Sequence, residues 1–330
     1  MREVCGDSGW SDVWSGWDHD IGSPGRHAGQ PPSVWIGSTG QSRVPHMTMC
    51  EVVQHTRRGE QDAGALSDPR HLRRLNERAL HVLEACHRVD TARRQLLNTL
   101  KTQKTLDNVS HVLVARVEFG SSNFVEQRKL ALLLADMRRS VTEALTTWDV
   151  ASRHFTRLTR LFPAQLDTIA VAFEPVDAVE IDRLAQASVL ASAQTQGVLQ
   201  ELVQEHARRQ MSSAERTDHL AAEDLRACVT RQQDASAEAV GEFSVAREAY
   251  LQAAMDLGLA QLRVKRARDA RNMAEAGFRI GARGVLEFAE SIINQNRQRN
   301  DMLDLESRAC VARHTLYALA LLLPEQFGLR

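Results

Sequence analysis

The stretch His46-Met47-Thr48-Met49-Cys50, followed by His55, gathers thioether, thiol and imidazole groups, the soft donors that suit a cuprous ion. Short Met and His clusters at loop ends also arise readily by chance. His81, Cys86 and His87 are no better placed, because spacings of five and six put them on different faces of a helix. No serine sits in a G-x-S-x-G turn, and GSTGQS at 37–42 lacks the Gly-Lys pair of a phosphate loop. The five cysteines form no C-x-x-C pair. The sequence therefore predicts no metal, no cofactor and no catalysis.

Two other patterns carry physical content. FGSSNFVE at 119–126 and IGARGVLE at 280–287 each place an apolar residue before a glycine, Gly120 or Gly281, and a glutamate six positions later, Glu126 or Glu287. A glycine there closes a helix in the left-handed conformation without a Cβ penalty. Asn123 with Glu126 makes a capping box for the helix that follows, and Glu287 holds the same place after Gly284. Shortly before the second turn, Arg263, Lys265, Arg266, Arg268 and Arg271 form a basic run. That run reads as a solvated helix face, or as an electrostatic docking surface near the turn.

Composition sets the wider bounds. The 330 residues carry 41 Lys and Arg against 42 Asp and Glu, a balance that disfavours a dedicated nucleic-acid binder. MREVCGDSGW has no apolar h-region, so the chain as written lacks an export signal and would remain cytoplasmic. Residues 1–46 hold eight of the 18 glycines, four of the eight prolines and Trp10, Trp14, Trp17 and Trp35, a composition that predicts an irregular segment. Beyond them Ala, Leu, Arg, Gln and Glu dominate, and apolar residues recur at spacings of three and four, as in Leu72, Leu75, Ala79, Val82, Cys86 and Val89.

Punctuation predicts helices over about 70–117, 123–162, 178–210, 213–279 and 284–323. The longest would reach roughly 60 to 100 Å and must pack side by side. At a fixed offset of 161 the halves pair Gly120 with Gly281, Glu126 with Glu287, Leu161 with Leu322 and Pro163 with Pro324, among nine identities over 47 columns. The expected fold is all-α, with long antiparallel, coiled-coil-like helices in two internal repeats. Its divisions fall at 1–46, 47–166 for the first helical hairpin and 167–330 for the second.

Arg116-Val117-Glu118-Phe119-Gly120 resembles the first-half turn of TolC-like outer-membrane efflux proteins, and Phe278-Arg279-Ile280-Gly281 resembles their second-half turn. The apolar runs Leu158 to Pro163 and Ala318 to Pro324 are similar to the ends of that family's halves. The resemblance spans about 70–327. It implies a homotrimer whose helices form a tunnel, located in the outer membrane and periplasm. It further implies that Phe119, Gly120, Glu126, Ile280, Gly281 and Glu287 lie at the periplasmic tip, where the adaptor protein of an exporter docks.

The family also carries a strand pair in each half. Here MSSAERTD at 211–218 is too short for two strands of about 9 to 11 residues, and the stretch 10–37 has room for one pair. The resemblance thus implies a truncated or degenerate member with its membrane strands largely missing. A soluble coiled-coil interaction protein is the alternative reading of the same capping chemistry.

Overall fold

The structure, a computed structural model, describes residues 47–57, 69–119, 124–167, 173–192, 197 and 218–323. The tryptophan-rich stretch, Gly120, Asn123 and positions 211–217 lie outside these residues. The described residues belong to one compact unit, Pro45–Arg330. Its helices are α1 (Met49–Arg57), α2 (Pro69–Glu118), α3 (Phe124–Thr159), α4 (178–192), α5 (Asp218–Arg279) and α6 (Val285–Leu319). The fold is all-α, as the periodicity predicts. None of these helices is long and apolar enough to cross a membrane.

Local chemistry sets the boundaries. Pro69 occupies the first helical position of α2, where its missing N–H costs nothing, and no glycine or further proline interrupts the next 49 residues. At 50 and 62 residues, α2 and α5 rise about 75 and 93 Å. Before α1, the Thr48 amide donates to Glu51 Oε2 at 2.7 Å and the Glu51 amide to Thr48 Oγ1 at 3.3 Å, a reciprocal cap. This assigns the soft-donor stretch a structural task. Met47 and Met49 pack against the core, and Met47 exchanges backbone hydrogen bonds with Gln165 and Asp167 at 2.7 and 3.0 Å.

The C-terminal ends of α3 and α6 are built alike. Just beyond them Arg160 and Leu321, 161 positions apart, both adopt positive φ, 62° and 55°. The Arg160 amide bonds the Thr156 carbonyl at 2.9 Å, and the Leu321 and Leu322 amides bond Ala318 and Tyr317 at 3.0 Å each. These are left-handed helix closures of the kind glycine usually makes. Pro163 then bars continuation after α3.

Helices α2 and α3 pack together as one hairpin, α5 and α6 as the other, and α2 packs on α6 between them. Far from the turns the core is apolar: Leu83 and Cys86 of α2, Phe155 of α3, Tyr250 of α5 and Leu316 of α6 are fully or almost fully buried. Each such large side chain contributes about 1.5 to 3 kcal/mol of transfer free energy. Burial pushes the Cys86 thiol up to about 12 and the Cys310 thiol to about 11, so neither is a thiolate at neutral pH.

Nearer the turns the α2–α6 seam becomes polar. Asn98 donates to Asn296 at 2.9 Å and to Asn300 at 2.7 Å, Thr102 donates to Asn296 at 3.2 Å, and Gln95 donates to the Asn300 carbonyl at 3.1 Å. Arg94 pairs with Glu306 at 2.9 Å. As the α2 number rises its partner's number on α6 falls, so the two helices run antiparallel.

Where the apolar and polar parts of the seam meet, the Nε2 atoms of His87 and His314 approach to 3.3 Å, leaving room for one shared proton. Desolvation lowers both imidazoles, His87 to about 4 despite the opposing field of Asp90, and His314 to about 3 with further lowering from His87 and Arg313. Both are neutral in the fold. Below their unfolded value near 6.5 the unfolded chain binds more protons, so stability is fully present above that pH and is lost as pH falls toward 4. The melting temperature is expected to drop between pH 7 and pH 5. Replacing both residues (His87→Leu with His314→Leu) should flatten that slope, and calorimetry of the two proteins across the range checks it.

Candidate functional site

The ends of both hairpins meet at one place. The guanidinium carbon of Arg116, two residues before the end of α2, lies 4.3 Å from the centroid of the Phe278 ring at the end of α5. An arginine over an aromatic face in a partly desolvated setting is worth about 0.5 to 2 kcal/mol. Phe278 stacks on Phe288 of α6 with centroids 5.4 Å apart, and both rings are buried. Glu126, at the start of α3, approaches Gly284: its Oε1 lies 3.7 Å from where a Cβ on that glycine would stand. The turns are thus fastened side by side by an aromatic stack, a cation over it and a carboxylate beside it.

The second turn shows why its residues are needed. Gly281 has φ 73°, the Ala282 amide bonds Gly277 at 2.8 Å and the Gly281 amide bonds Phe278 at 3.2 Å. This double closure requires a left-handed residue at 281. Gly277 serves differently. A Cβ there would lie 2.7 Å from Arg283 Cγ and Cδ, because the Arg283 stem runs across the glycine to reach Glu287 at 2.5 Å. Glu287 therefore does not complete a capping box. Its N-cap residue, Gly284, has no side chain to reciprocate, and Arg283 takes the carboxylate instead.

Of the residues singled out by sequence, Phe119 and Ile280 stand at the exposed ends of the two hairpins, 86% and 81% exposed. Phe124 and Val125 are exposed beside them. Glu126 is half buried against the second turn, Glu287 is exposed and paired, and Gly120 lies outside the described residues. Arg116, Gly277, Phe278, Arg283 and Phe288 complete the arrangement without having been marked as site residues. One signal was available for the rings: in a chain only 5% aromatic, two phenylalanines within eleven positions of one turn is a concentration.

In the basic run, Arg263, Lys265, Arg266 and Arg268 are exposed. Arg268 lies 3.8 Å from Asp269, while Arg271 turns inward to Gln295 at 3.2 Å and Glu275 at 3.9 Å. The arrangement presents apolar and charged surface on rigid ends. Among the described residues no three His, Cys, Asp or Glu side chains group as metal ligands.

By sequence, no protein-family model and no curated protein matches the chain. By structure, the chain is similar to a membrane protein from Pseudomonas aeruginosa at 12% identity, covering 82% of this chain and 70% of that one with a TM-score of 0.57. It is similar to CusC, whose structures describe conformational changes accompanying folding and transmembrane channel formation, at 13% identity over 82% and 74% of the two chains, TM-score 0.52. It is also similar to the Campylobacter jejuni CmeC outer membrane channel at 9% identity over 82% and 68%, TM-score 0.51. The fold is that of the TolC-like outer-membrane channels.

Within this TolC-like fold the turn glycine at 281 is a backbone requirement before it is anything else. Gly281→Val should cost about 1 to 2 kcal/mol, because a β-branched residue is driven into the left-handed region. Gly281→Asn should cost markedly less, since asparagine tolerates that region. Urea denaturation of both variants distinguishes strain at φ from loss of any specific contact.

Proposed function

We propose that the chain is a component of a TolC-like efflux or secretion conduit, a non-enzymatic protein whose copies line a helical tunnel and present their hairpin ends to a periplasmic adaptor. Three copies is the number carried by the family resemblance, and the outer membrane and periplasm its location. The observation that supports this reading most directly is on α5. One face of that helix, with Phe243, Tyr250, Leu257 and Ala267, is buried. A second side of the helix carries Val229, Val240, Leu251, Leu262 and Met273, spaced by eleven residues and between 41% and 61% exposed.

Eleven residues make three helical turns, so these side chains form one straight apolar stripe along about 66 Å of helix. Such a stripe is uncovered in the single chain, and another copy packing against it covers its lower part, from Val229 to Leu251. A helix apolar on two sides needs two partners, and α6 supplies one of them. At the hairpin ends, Phe119 and Ile280 supply an apolar contact held on stiff, buried supports.

The purified full chain is expected to be a multimer by native mass measurement in mild detergent. Val240→Lys with Leu251→Lys should shift it to monomer while helicity holds, and a wild-type monomer at micromolar concentration would favour the soluble coiled-coil reading. The hairpin ends are tested apart from assembly. Phe119→Asp with Ile280→Asp should leave stability within about 0.5 kcal/mol, since both residues are exposed. The same pair should abolish capture of an adaptor's helical hairpin, and undiminished capture would remove the ends from the docking role.

A further inference from the structure

The outer face of α5 changes charge along its length. From Arg226 to Asp256 three cations, Arg226, Arg231 and Arg247, stand among five acids, Asp234, Glu238, Glu242, Glu248 and Asp256. From Leu257 to Met273 the five arginines and lysines of the basic run meet one acid, Asp269. At this level the apolar stripe continues through Leu259 and Leu262, 52% and 54% exposed, with Arg263, Lys265 and Arg266 three and four residues from them on the same side. Helix-dipole complementarity does not explain cations here, because the effect fades within the last turn and Arg263 lies four turns from the end of α5.

Another copy of the chain does not neutralise this band. The inference rests on the assembly proposed above: copies related by a closed rotation share one height along the axis. Eleven to sixteen residues from the hairpin end, the height of 263–268, a neighbouring copy offers Asp136, Arg138 and Arg139 on α3 and Lys104 and Asp107 on α2. Asp107 already lies 3.8 Å from Arg138. Arg139 lies 3.6 Å from Glu143. What remains is one carboxylate against one cation, so a neighbour alone brings the band no net negative charge.

We propose that the upper third of α5, with Leu259, Leu262, Arg263, Lys265 and Arg266, is the contact surface for a foreign acidic helix: one with apolar residues every three or four positions flanked by glutamate or aspartate. Its apolar side covers the stripe where the neighbouring copy leaves it, and its carboxylates neutralise the band. The contact lies along the side of the hairpin, below the apolar end formed by Phe119 and Ile280.

The test uses the full chain and a fluorescent helical peptide with leucines at three- and four-residue spacing flanked by glutamates, together with a counterpart carrying lysine at every glutamate. The glutamate peptide should bind, and binding should weaken strongly between about 50 and about 300 mM salt, as screening shortens the reach of the cations. Lys265→Glu with Arg266→Glu should weaken it by about tenfold or more at unchanged helicity, as loss and reversal of facing charges does. Phe119→Asp with Ile280→Asp should leave it unchanged, so a failure of end docking and a failure of this surface give different results. Equal binding by the lysine peptide overturns the proposal, as does equal binding by the charge-reversed chain. Binding confined to phosphatidylglycerol vesicles overturns it in favour of a lipid surface.

Discussion

Two hairpins become one body through the contact of α2 with α6. The remaining long contacts, α2 with α3 and α5 with α6, lie within a hairpin and would hold in either alone. The seam is unusual in what it is made of. Asparagine and threonine side chains bond one another across it, a histidine pair follows with His87 buried and His314 half-buried, and an apolar core takes over below. Amide and hydroxyl groups in such a place add little net stability but leave a heavy penalty for misregister, because a slip strands each of them without a partner. Register along a seam of at most about 50 Å, the rise of the 35-residue α6, is thereby fixed by directional bonds, where leucines alone would allow sliding.

The hairpin ends depend on that register. Arg116 meets Phe278, and Glu126 meets Gly284, only if the two hairpins are aligned to within a fraction of a turn. Exposed apolar residues such as Phe119 and Ile280 are then carried on a buried foundation of Phe278, Val285 and Phe288. The far end contributes through the apolar core and through the bridge of Met47 to Leu166, which ties α1 to the end of the first hairpin.

Much of this was legible in the sequence. Helix bounds over α2, α5 and α6 follow from proline, glycine and periodicity, and the turn at Gly281 from its glycine. The seam was not legible, since Asn76, which donates to the Ala318 carbonyl of α6, His87 and Asn98 are ordinary polar residues until their spacing of eleven is read as three whole turns facing one neighbour. The second side of α5 escaped for the same reason: apolar residues on two sides of a helix blur any one-sided pattern. Glu287 was assigned a cap because a glutamate three residues after a helix start usually makes one. Arg283, lying across Gly277, is a nearer and fully charged partner.

The paired closures at Arg160 and Leu321 have a consequence for how relatives of this chain are recognised. One position carries a long cation and the other a leucine, and neither is glycine, so a comparison of letters scores the column as unrelated. The backbone scores it as identical, in a conformation that non-glycine residues rarely adopt. Torsion angles can in this way preserve a correspondence that residue identity has lost, and matching such outliers at a constant offset would reveal repeated architecture in chains too divergent for alignment.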